Sequence, residues 1–212
     1  DAEAPGIHAQ KKTLHASEQK RPDVARQRVE WRGWVPSVDS RLLVFLDETG
    51  AKTDMIRAYG RAPMGQRVTD YAPGGHWNTT TLVAALKRDG VLAPMVLDGP
   101  MDSEAFEAYV QQVLIPELPK GAIVVMDNLG AHKSPRIAHM LEQADCYLRY
   151  LPPYSPDLNP IEQMWAEVKS HLKAAKARTQ EALIQAIAQS LDKITAEDTE
   201  GFFLNESVGI KS

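Results

Sequence analysis

The sequence predicts an α/β protein with a mixed central sheet flanked by helices, and three observations carry that reading. Residues 41–50 and 121–130 are short apolar runs that each end in an acid, Asp47 and Asp127, followed by a Gly turn. Buried central strands have this composition. Residues 79–86 and 91–97 read as a further strand and its hairpin partner. Beyond residue 100, apolar residues recur at helical spacing in four stretches separated by the second acid-tipped strand and one more short strand. A meander of strands therefore passes into alternating helix and strand, and the helices must cover the sheet.

Taken in order, residues 1–40 lack a strand signal, and the composition around residues 17–34 is helical until Gly33 and Pro36. They read as a helical leader or linker, in which Trp31 and Trp34 either pack on the following domain or stack on a partner. After Gly50, residues 51–67 are basic and turn-rich, with Lys52, Arg57, Arg61 and Arg67 among Gly60, Pro63 and Gly65. This predicts a hairpin leaving the sheet near Asp47, either solvated or in contact with phosphate. Residues 103–115 carry Phe106, Val110, Val113 and Leu114 on one helical face, with Asp102 or Ser103 as cap and Pro116 and Pro119 beyond. Residues 134–144 read as a helix opened by Ser134-Pro135, and 146–151 as a short strand. A last amphipathic helix spans residues 179–194, through Leu183, Ile184, Ile187, Ala188 and Leu191. The expected organisation is a leader over 1–40, a principal domain over 41–195 and a tail over 196–212.

Composition narrows the class. With 212 residues, 43% hydrophobic and 25% charged, the chain has room for one substantial core that needs no covalent staple. Cys146 stands alone, which excludes an intrachain disulfide and a cysteine-based zinc site. No run reaches the length of apolar sequence that crosses a bilayer, and no signal peptide opens the chain, so a cytoplasmic, reducing location is expected. The net charge of -4 argues at first against a nucleic-acid partner. The charge is segregated, however: between Lys11 and Arg41 eight basic residues face four acids, while acids crowd residues 98–117 and 181–206. A basic side therefore remains available.

The chemistry centres on Tyr154-Ser155-Pro156-Asp157-Leu158-Asn159-Pro160-Ile161-Glu162. Asn159 suits an N-cap and Pro160 a first helical turn, so a loop becomes a helix there. Ile161, Met164, Trp165, Val168 and Leu172 then make one apolar face, with Glu162 beside it. Glu162 either closes a capping box onto Asn159 or points into a cleft. Asp47 and Asp127, each at the end of an apolar run, favour the cleft. Three carboxylates brought together would form an all-oxygen site for two Mg²⁺ or Mn²⁺ ions and hence for phosphoryl transfer. Asp98 also follows a strand, but Asp98-Gly99-Pro100 is an ordinary turn and is set aside.

In their order, with 34 residues (128–161) between Asp127 and Glu162, these acids resemble the DD34E triad of the Tc1/mariner superfamily, and the bacterial IS630 transposases above all. The supporting motifs are Phe45-Leu46-Asp47-Glu48-Thr49-Gly50, Met126-Asp127-Asn128-Leu129-Gly130-Ala131-His132-Lys133 and Pro153 through Glu162. The resemblance implies a ribonuclease-H-like fold and a cut-and-paste DNA transposase domain. It also implies Asp47, Asp127 and Glu162 as catalytic metal ligands for two Mg²⁺ or Mn²⁺ ions. Partners would be double-stranded DNA, namely terminal inverted repeats and a target at TA, and a second copy in a homodimer, inside a bacterial cell near the nucleoid. Relatives carry an N-terminal helix-turn-helix region that does not fit before Arg41. Together with Asp1 in place of Met, this leads to the expectation of a fragment or a processed form, trimmed to the catalytic domain plus the linker.

The resemblance places His132 and Lys133 close to the metal site, His132 either donating to phosphate or held by a structural hydrogen bond. Lys169, Lys173 and Lys176 follow Glu162 along its helix, as a ridge for a DNA backbone or as solvated lysines. Two other functions stay open: another ribonuclease-H-like nuclease, and a domesticated, non-enzymatic DNA-binding module.

Overall fold

The structure, a computed structural model, describes residues 16–57, 59–71 and 79–205. The first fifteen residues, with Lys11 and Lys12, and the tail beyond residue 205 lie outside the described residues.

Five strands form one sheet: β1 (Leu43–Ala51), β2 (Thr80–Lys87), β3 (Gly90–Asp98), β4 (Ile123–Met126) and β5 (Tyr147–Tyr150), in the order β3-β2-β1-β4-β5. β1, β2 and β3 pair antiparallel, whereas β4 and β5 run parallel to β1. The helices are α1 (Pro22–Trp34), α2 (Ser103–Tyr109), α3 (Ile115–Glu117), α4 (Pro135–Gln143), α5 (Ile161–Ala175), α6 (Gln180–Leu191) and α7 (Ala196–Asn205). A π-helical turn, Val110–Leu114, joins α2 to α3. Asp102 caps α2 by accepting from Ala105 N, and Ser134 caps α4 by accepting from Arg136 N.

Strand alternation divides the core into two layers. Leu43, Phe45 and Ala51 of β1 face one side, with Val125 of β4, Trp31 of α1, the apolar face of α5, Leu183 and Ile187 of α6, and Phe203 of α7. Val44 and Leu46 face the other, among Phe106 and Tyr109 of α2 and Ile137 and Leu141 of α4. The five residues read as the buried stripe of α5 are the five that are buried there.

Several expectations are corrected. β1 does not stop at Asp47 but continues to Ala51, because its ladder with β2 runs on through Ala51↔Thr80. The described residues of the 52–71 segment form no hairpin ladder; the segment is a loop, although its arms approach so closely that a Cβ on Gly60 would lie 2.7 Å from Val68. The loop is moored to the end of α5 by Lys176 on Asp70 at 2.6 Å and by Arg178 donating to Thr53 O at 2.8 Å. Residues 196–205, read as tail, form α7, whose Phe203 meets Phe45 edge to face with centroids 5.4 Å apart. Trp31, 3% exposed, packs in the core. Trp34 instead underlies the Arg149 guanidinium, 3.9 Å from its centroid.

Candidate active site

The placement of Asp47 and Asp127 follows from register. β1 and β4 pair as Leu43↔Ile123, Val44↔Val124 and Phe45↔Val125, and the same offset sets Asp47 beside Asp127 where β4 ends. Adjacent strands lie about 4.8 Å apart, so the two carboxylates are lateral neighbours. Both follow Phe45 and Val125 by two residues and therefore project to the face covered by α5. Glu162 stands in the first turn of that helix. The three acids line one cavity of about 520 Å³, together with Asn128, Lys133 and Asn159.

Hydrogen bonding orients the aspartates alike. Asp47 Oδ1 accepts from Glu48 N at 2.8 Å. Asp127 Oδ1 accepts from Leu129 N at 2.9 Å and lies 2.7 Å from His132 Nδ1. Among the described residues no hydrogen bond engages the Oδ2 of either, and Glu162 closes no capping box. Asn159 does not cap α5 either: its backbone oxygen accepts from Glu162 N, while its buried Oδ1 has no partner.

The electrostatics are those of crowded acids. Burial, then the charge of Glu162 and that of Asp127, push Asp47 up to about 7. Burial also raises Glu162, with the Lys169 charge opposing and that of Asp127 adding. Burial would raise Asp127 as well, but the His132 and Leu129 hydrogen bonds and the charges of His132 and Lys133 outweigh it and hold the group below its usual range. Glu48, on the opposite face of β1 from Asp47, is raised by burial and keeps a buried Oε2 without a partner.

As they stand, no three acid, histidine or cysteine side chains among the described residues are gathered tightly enough to hold an ion between them. The donor set nevertheless fits a hard divalent cation. It is all oxygen, it leaves the Oδ2 atoms free, and it concentrates negative charge that a cation would offset.

The other predicted residues are placed unevenly. His132 is 1% exposed, which corrects the phosphate-contact reading: it has no surface to offer a backbone. Lys133 is exposed and lines the acid cavity. Lys169 and Lys173 follow Glu162 at seven and eleven residues, and so share its face of α5. Arg57 and Lys173 line one groove of about 480 Å³. Arg61 borders the neighbouring hollow with Arg57. Lys52 and Arg67 are exposed on the same loop, away from the acid cavity.

Sequence reasoning missed what secures the loop before Glu162. Arg28 of α1, 7% exposed, donates through Nη1 to Ser155 Oγ at 2.6 Å and forks onto Asp157 at 2.9 and 2.5 Å. Gln19 donates to Tyr154 O at 2.7 Å. Tyr154 itself sits at φ 56°, a left-handed conformation that costs a non-glycine residue about 1–2 kcal/mol. With Arg28 and Asp157 129 residues apart, no local pattern announces the pair.

The family model described as DDE superfamily endonuclease matches residues 42–184. The Transposable element Tcb1 transposase of Caenorhabditis briggsae is 29% identical over 159 residues, covering 70% of this chain and 55% of that protein. The Tc1 transposase of Caenorhabditis elegans is 25% identical over 170 residues, covering 73% and 57%. The chain thus spans little more than half the length of these relatives. Among solved structures, a Mos1 transposase paired-end complex with left transposon end superposes with a TM-score of 0.76 at 17% identity, covering 96% of this chain and 65% of that one. The Mos1 mariner catalytic domain alone gives 0.67 at 14% identity, with 92% and 93% covered. The fold is accordingly ribonuclease-H-like, and by the match across residues 42–184 the chain belongs to the DDE superfamily endonuclease family.

Proposed function

We propose that this chain is the catalytic domain of a cut-and-paste DNA transposase, in which Asp47, Asp127 and Glu162 hold two Mg²⁺ or Mn²⁺ ions. The observation that carries the reading is the convergence of these acids, from two neighbouring strands and a helix start, on one cavity. Mos1 structures described as containing Mn and Mg make the same choice of ions reasonable here. Asp47 and Asp127, whose Oδ2 atoms no hydrogen bond engages among the described residues, would hold the two ions, and Glu162 would complete the second. The chemistry supplied by ions bound there is charge neutralisation at a phosphate and a lowered pKa for water or a 3′-hydroxyl.

The chain's own residues position the substrate. Lys133, at the cavity rim, would meet a phosphate beside the acids. Lys169 and Lys173, along the Glu162 face of α5, with Arg57, Arg61, Arg67 and Lys52 on the adjoining loop, would track the DNA backbone. The substrates are transposon ends, hydrolysed at a phosphodiester to free a 3′-hydroxyl, and a target, at TA, attacked by that hydroxyl. The paired-end arrangement named for Mos1 supports action as a homodimer. No helix among the described residues is long and apolar enough to cross a membrane, in keeping with a partner that is DNA. We assign residues 41–195 to the catalytic unit, onto which α1 packs through Trp31 and α7 through Phe203.

The test is nicking of supercoiled plasmid in Mn²⁺ by this chain, beside Asp127→Asn and a chelator control. Nicking that vanishes in both controls supports a metal-dependent nuclease. Nicking that survives Asp127→Asn overturns the assignment. Binding of element-end DNA without cleavage in any metal would favour the non-enzymatic module.

A further inference from the structure

Among the described residues, His132 is the one buried histidine whose ring meets an acid of the cavity, and the surrounding structure leaves it little freedom. It sits in the turn Gly130–Lys133, directly after β4. Its ring stacks on Phe106 of α2, with centroids 4.4 Å apart and planes at 28°. Its carbonyl accepts from the Tyr150 hydroxyl of β5 at 2.8 Å, and its N–H donates to Leu129 O at 3.1 Å. The next residue, Ser134, donates to Glu107 of α2 at 2.5 Å. Three elements therefore fix where Nδ1 points.

The Nδ1 contact has a direction. A carboxylate accepts hydrogen bonds, and an imidazole donates through a protonated ring nitrogen. The hydrogen of the 2.7 Å contact must belong to Nδ1, which donates to Oδ1. Oδ1 also receives the Leu129 N–H at 2.9 Å. With one oxygen doubly engaged, the carboxylate cannot rotate about its Cβ–Cγ bond without losing both bonds, and Oδ2 is the oxygen that no hydrogen bond engages among the described residues.

We infer that His132 is a positioning residue that locks the Asp127 carboxylate with Oδ2 presented to a divalent cation. The inference rests on the reading of Asp127 as a metal ligand. A partner that orients a ligand is worth about 10–100-fold in metal affinity. A histidine that merely filled space against Phe106 would contribute to stability and leave metal affinity alone.

The experiment is calorimetric titration of Mn²⁺ into the full chain for the wild type, His132→Phe, His132→Asn and His132→Gln, with melting temperatures in EDTA recorded in parallel. Phe keeps the ring stacking and removes the donor. Asn places an amide donor near Nδ1, whereas Gln extends it away. The expected result is a loss of about 10–100-fold in Mn²⁺ affinity for Phe and for Gln, with most of it restored in Asn. If Phe fails to fold, the difference between Asn and Gln decides. Equal affinities across the folded variants overturn the inference while leaving the metal site in place. A wild type that takes up no Mn²⁺ overturns the proposed function itself, and this premise with it.

Discussion

The aspartates and the glutamate reach the same cavity by different means. Asp47 and Asp127 stand on paired strands, and each has an Oδ1 tied to the backbone N–H of a residue one or two places ahead. Glu162 stands at the end of a loop whose shape depends on side chains from α1 and the 3-10 turn before it: Arg28 forked on Asp157, and Gln19 on the carbonyl of the strained Tyr154. A ladder is a cooperative property of many residues, whereas a side-chain fork can be cut by one substitution. Half of the site is thus built by the sheet and half by contacts that the leader supplies.

The largest effect tests whether the two halves serve one chemistry. Asp127→Asn and Glu162→Gln should each reduce Mn²⁺-dependent nicking by about 10³-fold or more, since a metal centre supplies several kcal/mol of charge stabilisation and each 1.36 kcal/mol is tenfold. Activity retained by either variant would detach that half from the site.

Next in size is the cost of crowding on the strand side. In the fold Asp47 keeps its proton up to about 7, whereas its ordinary value is 3.8. Between these values the folded chain binds the extra proton, so the metal-free protein loses stability as pH rises from 4 to 7. Asp47→Asn removes this penalty. In EDTA it should stabilise the chain at pH 8 by roughly 2–4 kcal/mol and leave it unchanged near pH 4, as read by denaturant melts. A loss of stability at pH 8 would show that the charge is already compensated.

On the loop side, Arg28→Leu leaves Asp157 without its charged partner, keeping only the Gln19 amide at 3.1 Å, and should cost about 1–3 kcal/mol, less than a fully buried pair because Asp157 is a third exposed. Burial raises Asp157, but the Arg28 hydrogen bond and charge outweigh it and hold it below its ordinary value. The contribution of the pair is accordingly present above the ordinary value and fades as pH falls through the lowered one. Hydrogen exchange should quicken in residues 154–159 and not in β1. Equal quickening in both would mean that strand and loop open as one unit.

The smallest effects belong to the basic residues that follow Glu162 along α5. Lys169→Gln and Lys173→Gln should each lower the salt slope of DNA binding by about 1, uniformly across sequences. An unchanged slope would return both to the role of solvated lysines.

Legibility followed the same division. Short apolar runs and a 3.6-residue stripe marked β1, β4 and α5 in the sequence, and the burial of Ile161, Met164, Trp165, Val168 and Leu172 matches the stripe. The boundaries were less legible: β1 outruns Asp47 because β2 keeps pairing with it, and Asn159 turns its side chain inward instead of capping α5. α7 was missed because a ten-residue helix containing Gly201 carries a weak local signal, and docking Phe203 against Phe45 makes up the difference.

Local sequence was enough to mark which residues alternate on strands, which share a helix face, and that Asp47 and Asp127 follow apolar runs while Glu162 opens a helix. These are properties of the backbone repeat, visible within a dozen residues. Only the tertiary structure decided that Asp47 and Asp127 lie in register on one face, that His132 is sealed against Phe106 and aimed at Asp127, and that Arg28 reaches Asp157. Those are choices of partner. They depend on which surfaces fit when the whole chain is packed, and no local periodicity encodes them.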